Sequence, residues 1–240
     1  MIRFGRKSQA VAGLTTARIM AFSDGVFAIA ITLLVLNLQV PKVPVSELVS
    51  RVLALWPNFL SYVLSVVIIG IYWVAHHNMF HYIKRANRPL LWINILLLLC
   101  VAFIPFPAGL LGEYPLQRIS IIIYASSLIV TNLFLSLLWW YATYKHRLVD
   151  EDIDPHFVNT VNRRNLTAPV VYLLSIGLSI LSPLASLIVF FLFPLYYIIP
   201  SHVDLHLTPT SHKEDEDKER EGTTGETIRL TEGQGEEAIS

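Results

Sequence analysis

One cysteine in 240 residues is too few for an intrachain disulfide or a cysteine metal cluster, and Cys100 reads as a small buried hydrophobe inside an apolar run. Charge is also scarce. Charged residues make up 15% of the chain, against about a quarter in an ordinary globular domain. Hydrophobic residues make up 54%, and the mean hydropathy is +0.54. No P-loop, H-E-x-x-H, G-x-S-x-G or G-x-G-x-x-G pattern occurs, so familiar soluble catalytic signatures are missing. A Thr-Val-Gly-Tyr-Gly sequence is absent too, which excludes a carbonyl-lined filter of that type. Met1–Lys7 is basic, but no small-x-small site precedes Pro41 and Lys42, so the first apolar segment is expected to stay in the mature protein.

The charges that are present are segregated. Residues 201–240 hold 11 acidic and 4 basic residues, and the remainder of the chain is correspondingly basic. The basic residues cluster between apolar runs rather than on one continuous face, which disfavours a nucleic-acid partner. Uncharged stretches of 17, 32, 24, 26 and 39 residues follow Asp24, Arg51, Arg88, Arg118 and Arg164. A bilayer core needs about 20 helical residues, so the first four stretches predict one span each, the first beginning near Leu14. The fifth is too long for one crossing, and Ser182-Pro183 near its middle predicts a helical hairpin over roughly 166–181 and 184–199. The expected fold is therefore an all-α integral membrane protein with six transmembrane helices. Five spans with the tail outside is the alternative.

Lys and Arg counts orient the six-span reading. Eleven fall on the side of the N-terminus and the 84–88 and 145–164 loops, and three (Lys42, Arg51, Arg118) on the other, so both termini are expected in the cytoplasm. The divisions are a cytoplasmic N-terminal segment over 1–13, a six-helix domain over 14–200 and an acidic, disordered tail over 201–240, whose partner is unknown. Lys42–Pro57 reads as a short amphipathic piece at the outer surface. The sequon Asn165-Leu166-Thr167 falls on the cytoplasmic side and is expected to be unmodified. His202, His206 and His212 in the tail lack a fixed metal geometry, and His77 and His81 have zinc-like spacing but no third ligand, so no metal is expected.

Helical geometry sorts the first span into faces. Ile29, Leu33 and Leu36 fall within about 40° of one direction, with Phe22 and Gly25 on the same stripe and Thr32 about 60° off it. Asp24 points about 140° from Ile29 and is expected to meet whatever packs behind. By periodicity alone this is a lipid-facing or core stripe plus a structural ion pair.

Arg18-Ile-Met-Ala-Phe22-Ser23-Asp24 reads R-x-x-x-F-S-D at the start of that span. Gly-Val-Phe-Ala-Ile-Ala-Ile-Thr-Leu-Leu-Val-Leu follows it, with Trp73-Val-Ala-His76-His77-Asn78-Met-Phe80, Leu91-Trp92-Ile-Asn94 and Phe103-Ile-Pro105-Phe106 further on. Over about residues 14–200 the chain resembles the transmembrane protein 175 family, the lysosomal and bacterial potassium channels. That resemblance implies a central pore lined by the first helix of each six-helix unit. With a single copy of the motif it implies a homotetramer, as in bacterial members, in a prokaryotic plasma membrane. It places the hydrophobic constriction at Ile29, Leu33 and Leu36 and aid to selectivity at Thr32. It assigns Arg18, Phe22, Ser23, Asp24, His76 and His77 to the motif and a buried polar network, and implies no cofactor beyond permeant potassium.

Such a neck closes by dewetting and, when open, favours potassium modestly because potassium sheds its water more cheaply than sodium. The rival reading is a proton- or ion-coupled secondary transporter using Asp24 and His76 or His77. It is disfavoured because the first span has no internal proline and no repeat partner. An enzyme within the membrane would need a convergent nucleophile, base or metal set, and no Ser or Cys motif accompanies the histidines.

Overall fold

The computed structural model of the chain describes residues 15–198, with side chains as far as Leu195. The expected N-terminal segment 1–13 and acidic tail 201–240, with His202, His206 and His212, lie outside the described residues. These form α1 (Thr16–Leu34), α2 (Val45–Ala54), α3 (Trp56–Tyr82), α4 (Arg88–Phe103), α5 (Pro105–Glu113), α6 (Arg118–Thr143), α7 (Pro155–Leu181) and α8 (Pro183–Ile198), and no strand occurs among them. Five stretches are long and apolar enough to cross a membrane: Thr16–Asn37, Trp56–Tyr82, Arg88–Glu113, Arg118–His146 and Pro155–Leu181. The sixth, α8, is shorter, about 24 Å at 1.5 Å per residue.

Proline and the caps punctuate these helices. Pro57, Pro89, Pro155 and Pro183 each stand in a first turn, where the missing N–H has no intrahelical partner to lose. Asn87 caps α4 by accepting from Leu90 N at 3.1 Å, and Asp154 caps α7 by accepting from His156 N at 2.8 Å. Pro105 divides the third span into α4 and α5. The break at Ser182-Pro183 falls as the sequence predicts, but α7 starts at Pro155 rather than near 166. The charged residues Arg163 and Arg164 end an uncharged run without ending a helix.

The bundle has two sides. α1 packs against α3, α4 and α5, whereas α6 lies between α4 and α7, and α8 closes on α7, α3 and α6. Phe27, Leu34, Ile69, Leu97, Ile121, Leu128, Trp139 and Phe190 form the buried centre, while Cys100 is half-buried. Several buried polar groups find partners on neighbouring helices, as a medium without water favours. Ser61 Oγ donates to Ala108 O at 2.6 Å, Ser65 Oγ pairs with Tyr124 OH at 2.9 Å, and Ser186 Oγ donates to Ser175 O at 2.8 Å. α5 comes close enough that Cβ atoms at Gly109 and Gly112 would stand 2.7 Å from Asn37 Oδ1 and 2.9 Å from Asn58 Cα. Small residues at such a seam let two backbones approach. α2 is an amphipathic helix with no buried residue.

At the end of the bundle where α3 gives way to α4, two loops are clamped together. Lys145 and His146 take left-handed conformations (φ 54° and 50°), turning the chain back so that Leu148 N donates to Ala142 O at 3.0 Å. Leu148 O accepts from Lys84 N at 3.0 Å, and Arg85 Nη2 donates to Val149 O at 2.8 Å. The Arg147 guanidinium sits 4.4 Å from the Tyr141 ring centroid, a cation–π contact, and the Leu148 and Val149 that follow it are buried.

Candidate functional site

α1 buries one face and bares the other. Ile19, Ser23, Phe27, Ala30 and Leu34 recur at three- and four-residue steps and are all buried. Across the helix Phe22, Ile29, Leu33 and Leu36 are 62, 60, 42 and 67% exposed. A row of large apolar side chains left bare along one helix marks lipid contact or an interface with another chain. Thr32 lies beside it, exposed, and its Oγ1 donates to Ile29 O at 2.9 Å. That bond uses the hydroxyl's one proton inside the helix and leaves the oxygen lone pairs on the bare side. Val35–Asn37 tighten into a 3-10 turn, and Asn37 Nδ2 donates to Pro105 O at 2.9 Å, pinning the end of the stripe to the α4–α5 kink.

The face behind the stripe is fixed by a directed chain of hydrogen bonds. Ser23 Oγ donates to Ile19 O at 2.8 Å, and Asn94 Nδ2 donates to Ser23 Oγ at 3.0 Å. Asn94 Oδ1 stands 2.9 Å from His76 Nε2, so the imidazole supplies the proton there. The His76 ring lies between Phe27 (centroids 5.6 Å apart) and Phe80 (4.5 Å). All three polar side chains are buried, and together they tie α1 to α4 and α3.

The other motif residues stand elsewhere in the single chain. Arg18, Phe22, Asp24 and His77 are exposed, and only Ser23 and His76 of the expected set enter the buried chain. Asp24 does not point behind the helix. The buried stripe centres about 120° from Ile29 on one side and Asp24 about 140° on the other, which leaves the carboxylate on the flank. Trp73 Nε1 donates to Asp24 Oδ1 there at 2.8 Å, and the same indole lies 5.7 Å from the His77 ring. Sequence reasoning did not place Asn94 in the site. Its signal was a lone amide within a 24-residue uncharged run, where a polar residue needs a partner on another helix. Among the described residues no three His, Cys, Asp or Glu side chains converge to hold a metal, His77 and His81 included.

Residues 18–105 match the family model described as endosomal/lysosomal potassium channel TMEM175. A protein of Chamaesiphon minutus named as a potassium channel is 38% identical over 193 residues, 78% of this chain and 95% of that protein. A similarly named protein of Streptomyces collinus is 36% identical over 76% of this chain and 91% of its own length. The crystal structure titled as a lysosomal potassium-selective channel TMEM175 homolog from Chamaesiphon minutus superposes with a TM-score of 0.69 at 36% identity, covering 77% of this chain and 96% of that one. With nearly the whole of a relative matched at this identity and its fold shared, the chain belongs to the TMEM175 family.

Proposed function

We propose that the chain is the subunit of a homotetrameric, potassium-conducting cation channel in a prokaryotic plasma membrane, with both termini cytoplasmic and residues 14–200 as the channel domain. The observation that carries this reading is the bare apolar stripe of α1, held in place by a buried hydrogen-bond chain. Four copies set around an axis would bring Ile29, Leu33 and Leu36 together as a narrow neck. Relatives matched over 95% and 91% of their own length bear the name potassium channel, which supports the choice of ion.

A neck of this kind blocks ions when water leaves it and demands partial dehydration when it opens. Ile29 forms the narrowest ring, and Leu33 and Leu36 continue it. The Thr32 hydroxyl oxygens return some ligation to a dehydrated ion, giving a modest preference for potassium over sodium. The reading involves no catalytic chemistry and no cofactor, only the permeant ion. Its test is Ile29→Asn in purified channels recorded in planar bilayers. A wetted neck should raise the current through the closed state, and a variant with unchanged conductance and unchanged leak would place the neck elsewhere.

A further inference from the structure

Away from α1, helices α3, α6, α7 and α8 line a small, partly open chamber of about 30 Å³. Ile68 and Ala75 wall it on α3, Asn132 on α6, Asn165 and Tyr172 on α7, and Pro194 on α8. Asn165 is 8% exposed, and its Nδ2 has no hydrogen-bond partner. A buried amide nitrogen without a partner leaves a hydrogen bond unmade, which an ordered water commonly supplies. One turn later Pro169 interrupts α7, so no N–H is offered to the Asn165 carbonyl at the usual helical position. A buried amide donor without a partner thus stands beside a chamber that a second buried amide, Asn132, also lines, and Pro169 withholds the N–H that would ordinarily reach the Asn165 carbonyl.

We infer that this chamber is an internal water site, holding water that accepts from Asn165 Nδ2 and repairs the ladder where Pro169 breaks α7. The chemistry and the size select water over the other candidates. The unpaired atom is an N–H donor, which repels a cation. The volume is far too small for a lipid chain, yet it exceeds the roughly 10–15 Å³ of probe-occupied space that one water needs. Water also needs two to four polar partners, and the two amides with the freed carbonyl supply them. The site lies within one subunit and contains no residue of α1, so it stands or falls independently of the pore reading.

X-ray hydroxyl-radical footprinting of the purified full-length protein in detergent tests it, because radicals formed from a bound water modify the buried side chains beside it. The expected result is oxidation of Tyr172 and Pro194 in the native chain, while the equally buried Tyr124, paired with Ser65 away from the chamber, stays unmodified. Asn165→Leu, which fills the space and removes the amide, should abolish labelling at Tyr172. The milder Asn165→Ser, which keeps a polar group, should retain it should the leucine variant not fold. Tyr172 and Pro194 as silent as Tyr124 in the native protein would overturn the inference. So would Tyr172 labelling that persists unchanged in a folded Asn165→Leu variant.

Discussion

The Thr32 hydroxyl donates to the carbonyl of Ile29, one turn earlier on the same bare flank of α1, at 2.9 Å. The bond fixes the side-chain oxygen beside the ring that Ile29 would form and leaves its lone pairs free for an ion. Thr32→Ala should therefore leave conductance largely intact and lower the potassium-to-sodium permeability ratio roughly two- to fivefold. Thr32→Ser should keep most of the ratio. Bi-ionic reversal potentials of the two variants give the comparison, and equal ratios in alanine and native channels would remove Thr32 from selectivity.

Asn94 is the middle of the chain from His76 to the Ile19 carbonyl. Asn94→Leu strands the His76 Nε2 proton in a buried site, at a cost of about 1–3 kcal/mol. Adding His76→Phe removes the stranded group, and an apolar pair of similar shape should recover much of the loss. Thermal melting of purified protein in detergent reads both. A double variant that melts lower than Asn94→Leu alone would mean that the histidine does more than satisfy the amide.

The close approach of α5 makes a different demand. Gly112→Ala would set a Cβ 2.9 Å from the Asn58 Cα, so backbone must move, at a cost of about 1–3 kcal/mol. Gly70, also within a helix, has nothing within 4 Å of its would-be Cβ, and Gly70→Ala should gain up to about 1 kcal/mol of helix propensity. Opposite shifts in melting temperature are expected. If Gly112→Ala melts no lower than Gly70→Ala, the packing of α5 on α3 is looser than described.

Neighbouring copies of Ile29 should be cross-linkable. In a Cys100→Ser background, Ile29→Cys is expected to form a disulfide dimer on oxidation, because adjacent subunits of the proposed tetramer would meet there within reach of the roughly 4.4–6.8 Å Cα spacing that the bond requires. Leu173→Cys, equally bare on α7 at 58% exposure, should stay reduced on denaturing gels. Cross-linking through Leu173 rather than Ile29 would put the interface on the wrong side of the bundle.

The division into spans was legible because charge is so costly in a bilayer that uncharged runs trace the helices almost directly. Ser182-Pro183 marked the turn between α7 and α8 for an equally local reason, the steric conflict between proline and a helical residue before it. That Phe22, Ile29, Leu33 and Leu36 share one face followed from helical period, which left open whether that face is bare or core. What stayed hidden depended on pairing across helices. Asn94 meets Ser23 from 71 positions away, and no local pattern links them. The start of α7 at Pro155 was missed because Arg163 and Arg164 look like a span boundary, although charge ends only the apolar run. Asp24, expected behind the stripe, stands on its flank in the single chain, because helical period fixes its angle from Ile29 but not where the buried stripe centres. Its hydrogen-bond partner there is Trp73 of α3.

The proposed channel is by itself a potassium-preferring pore, which distinguishes it from a coupled transporter. Purified protein in a planar bilayer, with potassium on one side and sodium on the other at equal concentration, separates the two. A steady current reversing away from zero in the direction of potassium permeability is the expected result. No current under these conditions, with potassium or proton uptake appearing only against an imposed gradient of another ion, would contradict it and establish a coupled transporter working through Asp24 and His77.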